Sequence, residues 1–167
     1  MFYAGIGARG TPAHILVIMT KFAAAVEKLG YTLRTGGAKG ADQAFEAGVV
    51  DPHNKEVYLP TAGFAGNPSS LTYTQAALEM AKDFHPNWGA CSEFARACHA
   101  RNCHQMLGGN LDSPVSFVVC WTPGGQATGG TGQALRIAKA LGIHVFNLAI
   151  ADDYALLKEW YRVATEG

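Results

Sequence analysis

Two patterns alternate along the chain: short runs of consecutive apolar residues that end in glycine or proline, and longer stretches whose apolar residues recur every three or four positions. The first predicts strands of a sheet covered on both faces, where polar and apolar positions no longer alternate. The second predicts amphipathic helices lying on that sheet. Phe2 to Ile6 reads as the first strand. Pro12 suits the first turn of the helix that follows, in which Ile15, Val17, Ile18, Phe22, Val26 and Leu29 recur until Gly30 stops it. Tyr31 to Arg34 is a second strand, and a helix from Ala41 to about Val49 carries Ala44, Phe45 and Val49 on its apolar stripe. Lys55 to Leu59 is a third strand, ended by Pro60.

The character then changes. Thr61 to Ser70 is rich in Gly, Pro, Asn and Ser and predicts an irregular loop, followed by a helix over about Thr74 to Phe84 that His85-Pro-Asn-Trp-Gly89 breaks. Ser92 is placed to cap a further helix, with Glu93 in its first turn, running to Leu107 before Gly108-Gly109. These two helices form an insertion expected to act as a lid or partner surface. Ser116 to Trp121 is the most strand-like run and is expected at the centre of the sheet. Ala134 to Leu141 (helix), His144 to Leu148 (strand) and Tyr154 to Val163 (helix, capped by Asp152 or Asp153) complete the chain.

The order predicts one α/β domain over residues 1–167: a three-layer, Rossmann-like parallel sheet of about five strands, helices on both faces, and a helical insertion before the fourth strand. In such sheets ligands sit beyond the carboxyl ends of the strands, near the switch in strand order. Three glycine-rich turns fall there: Gly5-Ile-Gly-Ala-Arg-Gly-Thr-Pro12, Arg34-Thr-Gly-Gly-Ala-Lys-Gly-Ala-Asp42 and Thr122 to Gly132. Glycine leaves backbone amides uncovered, so a turn that opens a helix can cradle an anion at the helix's positive end. Gly36, Gly37 and Gly40 allow close backbone approach. Gly129-Gly-Thr-Gly132 is a second such nest, with the Thr128 and Thr131 hydroxyls beside it. Asp42 has two readings, a helix cap or an acceptor for a ribose hydroxyl. Arg9 offers a planar fork to phosphate. Arg101 and Asn102, on the inserted helix with Arg96, read equally as ligand contacts or as the polar face of an exposed helix.

Composition narrows the field. Hydrophobic residues make up 49% of the chain and charged residues 16%, enough apolar material for a sizeable core. Thirteen basic residues balance thirteen acidic ones, so no global field attracts nucleic acid. No leader or membrane span is expected, and the reading is a cytoplasmic protein. Cys91, Cys98, Cys103 and Cys120 suit reduced thiols in regular elements. Three of them share a segment with His99 and His104, but no C-x-x-C pair or four-ligand spacing is present, so neither metal nor cofactor is expected. Gly5, Gly7 and Gly10 invite comparison with the dinucleotide fingerprint G-x-G-x-x-G. The acidic residue that should end the second strand is missing, since Arg34 and Thr35 stand there, and this disfavours hydride transfer.

Gly7-Ala-Arg9, Thr35-Gly-Gly-Ala-Lys-Gly-Ala-Asp42 with Glu46 beyond it, and Gly129-Gly-Thr-Gly132 before Phe146 together resemble the SLOG superfamily (Smf/DprA and Lonely Guy) of Rossmann-like domains. The likeness is nearest to the DprA branch and to small DprA-like proteins of phages, where segments similar to Arg101-Asn-x-His-Gln-x-Leu-Gly108 and Cys120-Trp-Thr-Pro123 occur. It implies a nucleotide or nucleotide-derived ligand. The residues it carries over are Gly7, Ala8, Arg9, Thr35, Gly36, Gly37, Lys39, Gly40, Arg101, Asn102, Trp121, Thr122 and Gly129 to Gly132, the last run including Gly130 and Thr131. Lonely Guy enzymes release a base from a nucleoside monophosphate with a glutamate placed after P-G-G-x-G-T. Here Pro123-Gly-Gly125 is followed by a second glycine run, and Leu135 and Arg136 stand where that glutamate is expected. N-glycosidic hydrolysis needs a carboxylate beside the developing oxocarbenium ion. Asp42 and Glu46, one turn apart on one helix face, are the catalytic candidates, with Glu93 in reserve. Three uses of the site follow from the resemblance: hydrolysis of a nucleotide, sequestration of a signalling nucleotide, or single-stranded DNA binding by a DprA-like recombination mediator. For the third, Lys39, Arg9, Arg34, Arg96 and Arg101 would form a basic rim and Trp88 or Trp121 a stacking platform. The resemblance also implies a homodimer or higher homo-oligomer.

Overall fold

A computed structural model describes residues 1–167. It is an α/β fold of Rossmann-like, three-layer arrangement. Strands β1 (Phe2–Gly5), β2 (Thr32–Thr35), β3 (Lys55–Val57), β4 (Phe117–Cys120) and β5 (His144–Asn147) form one parallel sheet in the order β3-β2-β1-β4-β5. The order reverses at β1, which pairs with β2 on one side and β4 on the other, so the switch point lies between the loops after β1 and β4. The helices are α1 (Ala13–Glu27), α2 (Ala41–Gly48), α3 (Gln75–Phe84), α4 (Glu93–Leu107), α5 (Gly129–Ala140) and α6 (Ala151–Glu166). No helix is long and apolar enough to cross a membrane.

Successive side chains of a strand point to opposite faces, and each face has its own core. Tyr3, Leu33, Phe117, Val119 and Phe146 pack with α1, α2 and α6, and the Tyr3 and Phe117 rings stack with centroids 5.6 Å apart. Ala4, Ile6, Val118 and Cys120 pack with α3, α4 and α5. The continuous apolar runs of the sequence are the consequence of this double coverage.

Several boundaries differ from those the sequence predicts. Helix α5 begins at Gly129, not Ala134, so the glycine run is the first turn of the helix and not a loop before it. Helix α6 begins at Ala151 after Ile150 and has no side-chain cap. Asp153 instead turns back, its Oδ2 accepting from the Asn147 N–H at 3.0 Å. Pro12 precedes α1 instead of lying in its first turn. Ser92 caps α4 as predicted, accepting from the Ala95 N–H at 3.1 Å.

The larger correction concerns the insertion. Helix α4 is no lid: from Ala97 to Leu107 every residue but Cys98 is buried. The Arg101, Asn102 and His104 side chains are hydrogen-bonded inside the molecule, which is the condition for burying them. His104 Nε2 accepts from the Thr74 N–H at 3.1 Å, and its ring stacks on Tyr58 at 5.3 Å.

Candidate functional site

The loops after β1 and β4, the turn before α2 and one face of α4 enclose a cavity of about 350 Å³ at the switch point. Its size falls at the lower end of the roughly 300–1,000 Å³ of small-molecule sites. Gly7, Ala8 and Arg9 line it from the first loop, Ala38 and Asp42 from the second, and Thr128 to Thr131 from the first turn of α5. Cys98, Arg101, Asn102 and Gln105 line it from α4, and Phe64 from the segment after β3.

The first two loops meet by backbone contact. Gly40 has φ 88°, and a Cβ there would stand 2.6 Å from the Arg9 carbonyl oxygen. A Cβ at Gly7 would stand 2.6 Å from that of Ala41. Only glycine permits both approaches. The third loop joins through the Ala8 N–H, which donates to the Trp121 carbonyl at 3.2 Å.

Asp42 is the buried carboxylate of the site, 4% exposed. It does not cap its helix. Its Oδ2 accepts from the Ala38 N–H at 3.3 Å, and the Gly7 N–H also donates to the carboxylate. The anion nest of the Arg34–Asp42 turn is therefore held partly by an internal carboxylate. Burial pushes the Asp42 carboxyl up to about 6, against the opposing pull of the Arg101 charge and of the Ala38 and Gly7 amides, with the Glu46 charge adding a small upward push. A carboxyl that titrates so near neutrality can hold or release a proton at working pH.

Arg101 reaches across the edge of the sheet. Its Nη1 donates to the carbonyls of Gly36 and Tyr58, and its Nε donates to Asn102 Oδ1 at 3.0 Å. Asn102 Nδ2 donates to the Gly130 carbonyl at 2.9 Å, which anchors the start of α5. The first amides of that helix have no side-chain cap from Thr128, and Gly129 and Gly130 are exposed. This leaves the positive end of α5 open to an anion.

Other sequence candidates lie outside the cavity lining. Glu46 is one turn from Asp42, but its carboxylate takes Lys55 Nζ at 2.9 Å and Asn67 Nδ2 at 2.9 Å. Thr35 is buried, its Oγ1 donating to the Gly5 carbonyl at 2.7 Å. Thr122 is buried and accepts from Asn147 Nδ2 at 2.7 Å. The Gly37 carbonyl accepts from Gln43 Nε2 at 3.4 Å, Lys39 is exposed, Gly132 is buried behind the first turn of α5, and the half-buried Trp121 packs on the core. The proposed basic rim is depleted as well. Arg34 is 2% exposed and pairs with Glu56 at 2.8 Å and with Ser113, while Arg96 Nη2 donates to the Trp88 carbonyl at 3.1 Å.

Phe64, Cys98 and Gln105 are lining residues that sequence reasoning missed. For α4 a signal was available: Cys98, Arg101, Asn102 and Gln105 stand at i, i+3, i+4 and i+7, one face of a helix. Nothing in the sequence distinguishes that face from a solvated one. No family model matches this chain, and no curated protein or solved structure matches it.

Proposed function

We propose that the chain binds a nucleotide or nucleotide-derived small molecule in this cavity, with the phosphate on the first turn of α5 and the sugar beside Asp42. One observation carries the reading: a buried carboxylate held up to about 6 and the uncapped start of α5 line the same cavity. Helix N-termini favour anions through oriented amides, and Arg9 adds a charge at the rim. The motifs that resemble the SLOG superfamily support the same ligand class. So does the end of β2, where Arg34 and Thr35 are engaged internally and leave no acidic group for a dinucleotide ribose.

Asp42 gives the site a route to N-glycosidic hydrolysis. A carboxyl of raised pKa can protonate the departing base, and as a carboxylate it can stabilise an oxocarbenium-like sugar. Glu46 acts on this chemistry through its charge on Asp42 and not by contact.

The test is a panel of nucleoside monophosphates, NAD-derived nucleotides, cyclic dinucleotides and a short single-stranded oligonucleotide, followed by calorimetry and by chromatography of free base. Stoichiometric binding of a small nucleotide is the expected result, with base release lost in Asp42→Asn and kept in Glu46→Gln. Binding without release in any member leaves the ligand class standing and removes the hydrolysis. Affinity for the oligonucleotide alone, falling steeply with salt, would replace the reading with single-stranded DNA binding.

A further inference from the structure

A second cavity, of about 530 Å³, adjoins the first and shares Cys98, Gly129 and Gly130 with it. His85 and His99 stand on its wall with Cys91 beside them, and the crevice uses none of the three. His85 comes from the break after α3, Cys91 from the turn before α4, and His99 from the second turn of α4. One nitrogen or sulfur atom of each lies within 4.8 Å of the others. We propose that His85, Cys91 and His99 bind a zinc ion, leaving the fourth coordination position open to the second cavity.

The donor set selects the metal. One thiolate and two imidazoles are the ligands of zinc and not of magnesium or calcium, which take oxygen. The spacing agrees. Zinc bonds of about 2.3 Å to sulfur and about 2.05 Å to nitrogen at a tetrahedral angle place the two donor atoms about 3.6 Å apart. Cys91 Sγ stands 3.6 Å from His85 Nε2 and 3.8 Å from Nδ1.

An independent observation points the same way. His99 is 8% exposed, and its Nδ1 is buried with no hydrogen-bond partner. An orphaned buried polar atom is unfavourable, and a metal bond would satisfy it. The His85 and His99 rings lie 4.5 Å apart, with Trp88 flanking them at 6.3 Å and 6.4 Å. His85 Nδ1 accepts from the Asn87 N–H at 3.0 Å, and the Cys91 thiol lies against the His85 ring. Loading releases the thiol proton to solvent and replaces that thiol–imidazole contact by two metal bonds.

Three protein ligands leave one position for an exogenous group, the arrangement of zinc sites that bind ligands. A thiolate offsets only part of the charge of Zn²⁺, and Arg136 lines the same cavity. The fourth ligand is therefore an anionic oxygen or hydroxide. The site rests on its own donors and is independent of the nucleotide reading.

Cobalt titration of the chelator-treated full chain tests it. Expected are tetrahedral visible bands and a thiolate-to-cobalt charge-transfer band saturating at one ion per chain, displaced by zinc. X-ray absorption of the zinc form should show one sulfur and two nitrogen neighbours. Cys91→Ser and His99→Gln should each abolish the charge-transfer signature or weaken it with loss of tight binding, while Cys98→Ser keeps it. Circular dichroism of each variant checks the fold, and the half-buried Cys91 is the variant expected to fold in any case. No charge-transfer band in the wild type overturns the site, as does a band that survives Cys91→Ser.

Discussion

Replacing Asp42 with asparagine isolates the electrostatic cost of the site. The carboxyl ionises near 3.8 in the unfolded chain and at about 6 in the fold, because burial penalises the charged form more than Arg101 and the two amides favour it. A folded value above the unfolded one means that the native state binds the proton more tightly. The stabilisation is fully present below about pH 4 and is lost as pH rises through about 6. At 1.36 kcal/mol for each unit between the two values, wild type loses about 3 kcal/mol that the variant, with nothing to ionise, does not lose. For a chain of this length that corresponds to about 6–12 °C in Tm. Urea unfolding of both proteins at intervals from pH 4 to pH 8 measures it. Asparagine also alters the hydrogen bonds at Ala38 and Gly7 and removes a counter-charge from Arg101, but those effects form an offset. The slope of the difference against pH carries the ionisation. A difference that stays constant within about 0.5 kcal/mol across this range would refute the argument, since other surface carboxylates are common to both proteins.

Gly130→Asp should separate binding from stability. A Cβ there meets nothing within 4 Å, and an acid in the first turn of α5 stabilises the helix by about 0.3–1 kcal/mol, yet it repels a phosphate from the same amides. Thermal melting and calorimetry should therefore move in opposite directions. Gly40→Ala should cost about 2–4 kcal/mol, from a left-handed φ of 88° and the clash with Arg9, whereas Gly10→Ala, open on all sides, should melt within about 0.5 kcal/mol of wild type. Arg101→Gln should cost about 2–3 kcal/mol by stranding the Gly36 and Tyr58 carbonyls. It should also raise the Asp42 titration further, read from the carboxyl carbon by NMR, since Arg101 now draws it down.

Much of this architecture is legible from local pattern. Strands such as Phe117–Cys120 announce themselves because both faces are apolar, and Ser92 is recognisable as a cap because its function is local. The glycine turns are legible for the same reason. What escapes is whatever depends on the partner across space. Helix α4 carries Arg101, Asn102, His104 and Gln105, residues that by composition belong to a surface; only the carbonyls of Gly36, Tyr58 and Gly130 make the burial of the first two possible. Asp42 and Glu46 look equivalent on a helix face, yet one meets loop amides and the other Lys55 and Asn67. His85 and His99 are fourteen positions apart by number, and no spacing rule joins them; the Pro86–Cys91 turn does.

Helix α4 also constrains how this crevice can choose among ligands. Through Arg101 it grips the β2–β3 half of the sheet edge, and through Asn102 the start of α5 on the β4 half. One rod spans the seam, so the walls keep a fixed separation and cannot clamp down on a preferred guest. Discrimination falls to the doorway, where Arg9, Pro123 and Thr128 are exposed and their side chains make no bond to the rod, while the half-buried Phe64 ring leans on it through Arg101 and Phe94. A library restricted to Arg9, Pro123 and Thr128 would redirect ligand choice while leaving the melting temperature where it was.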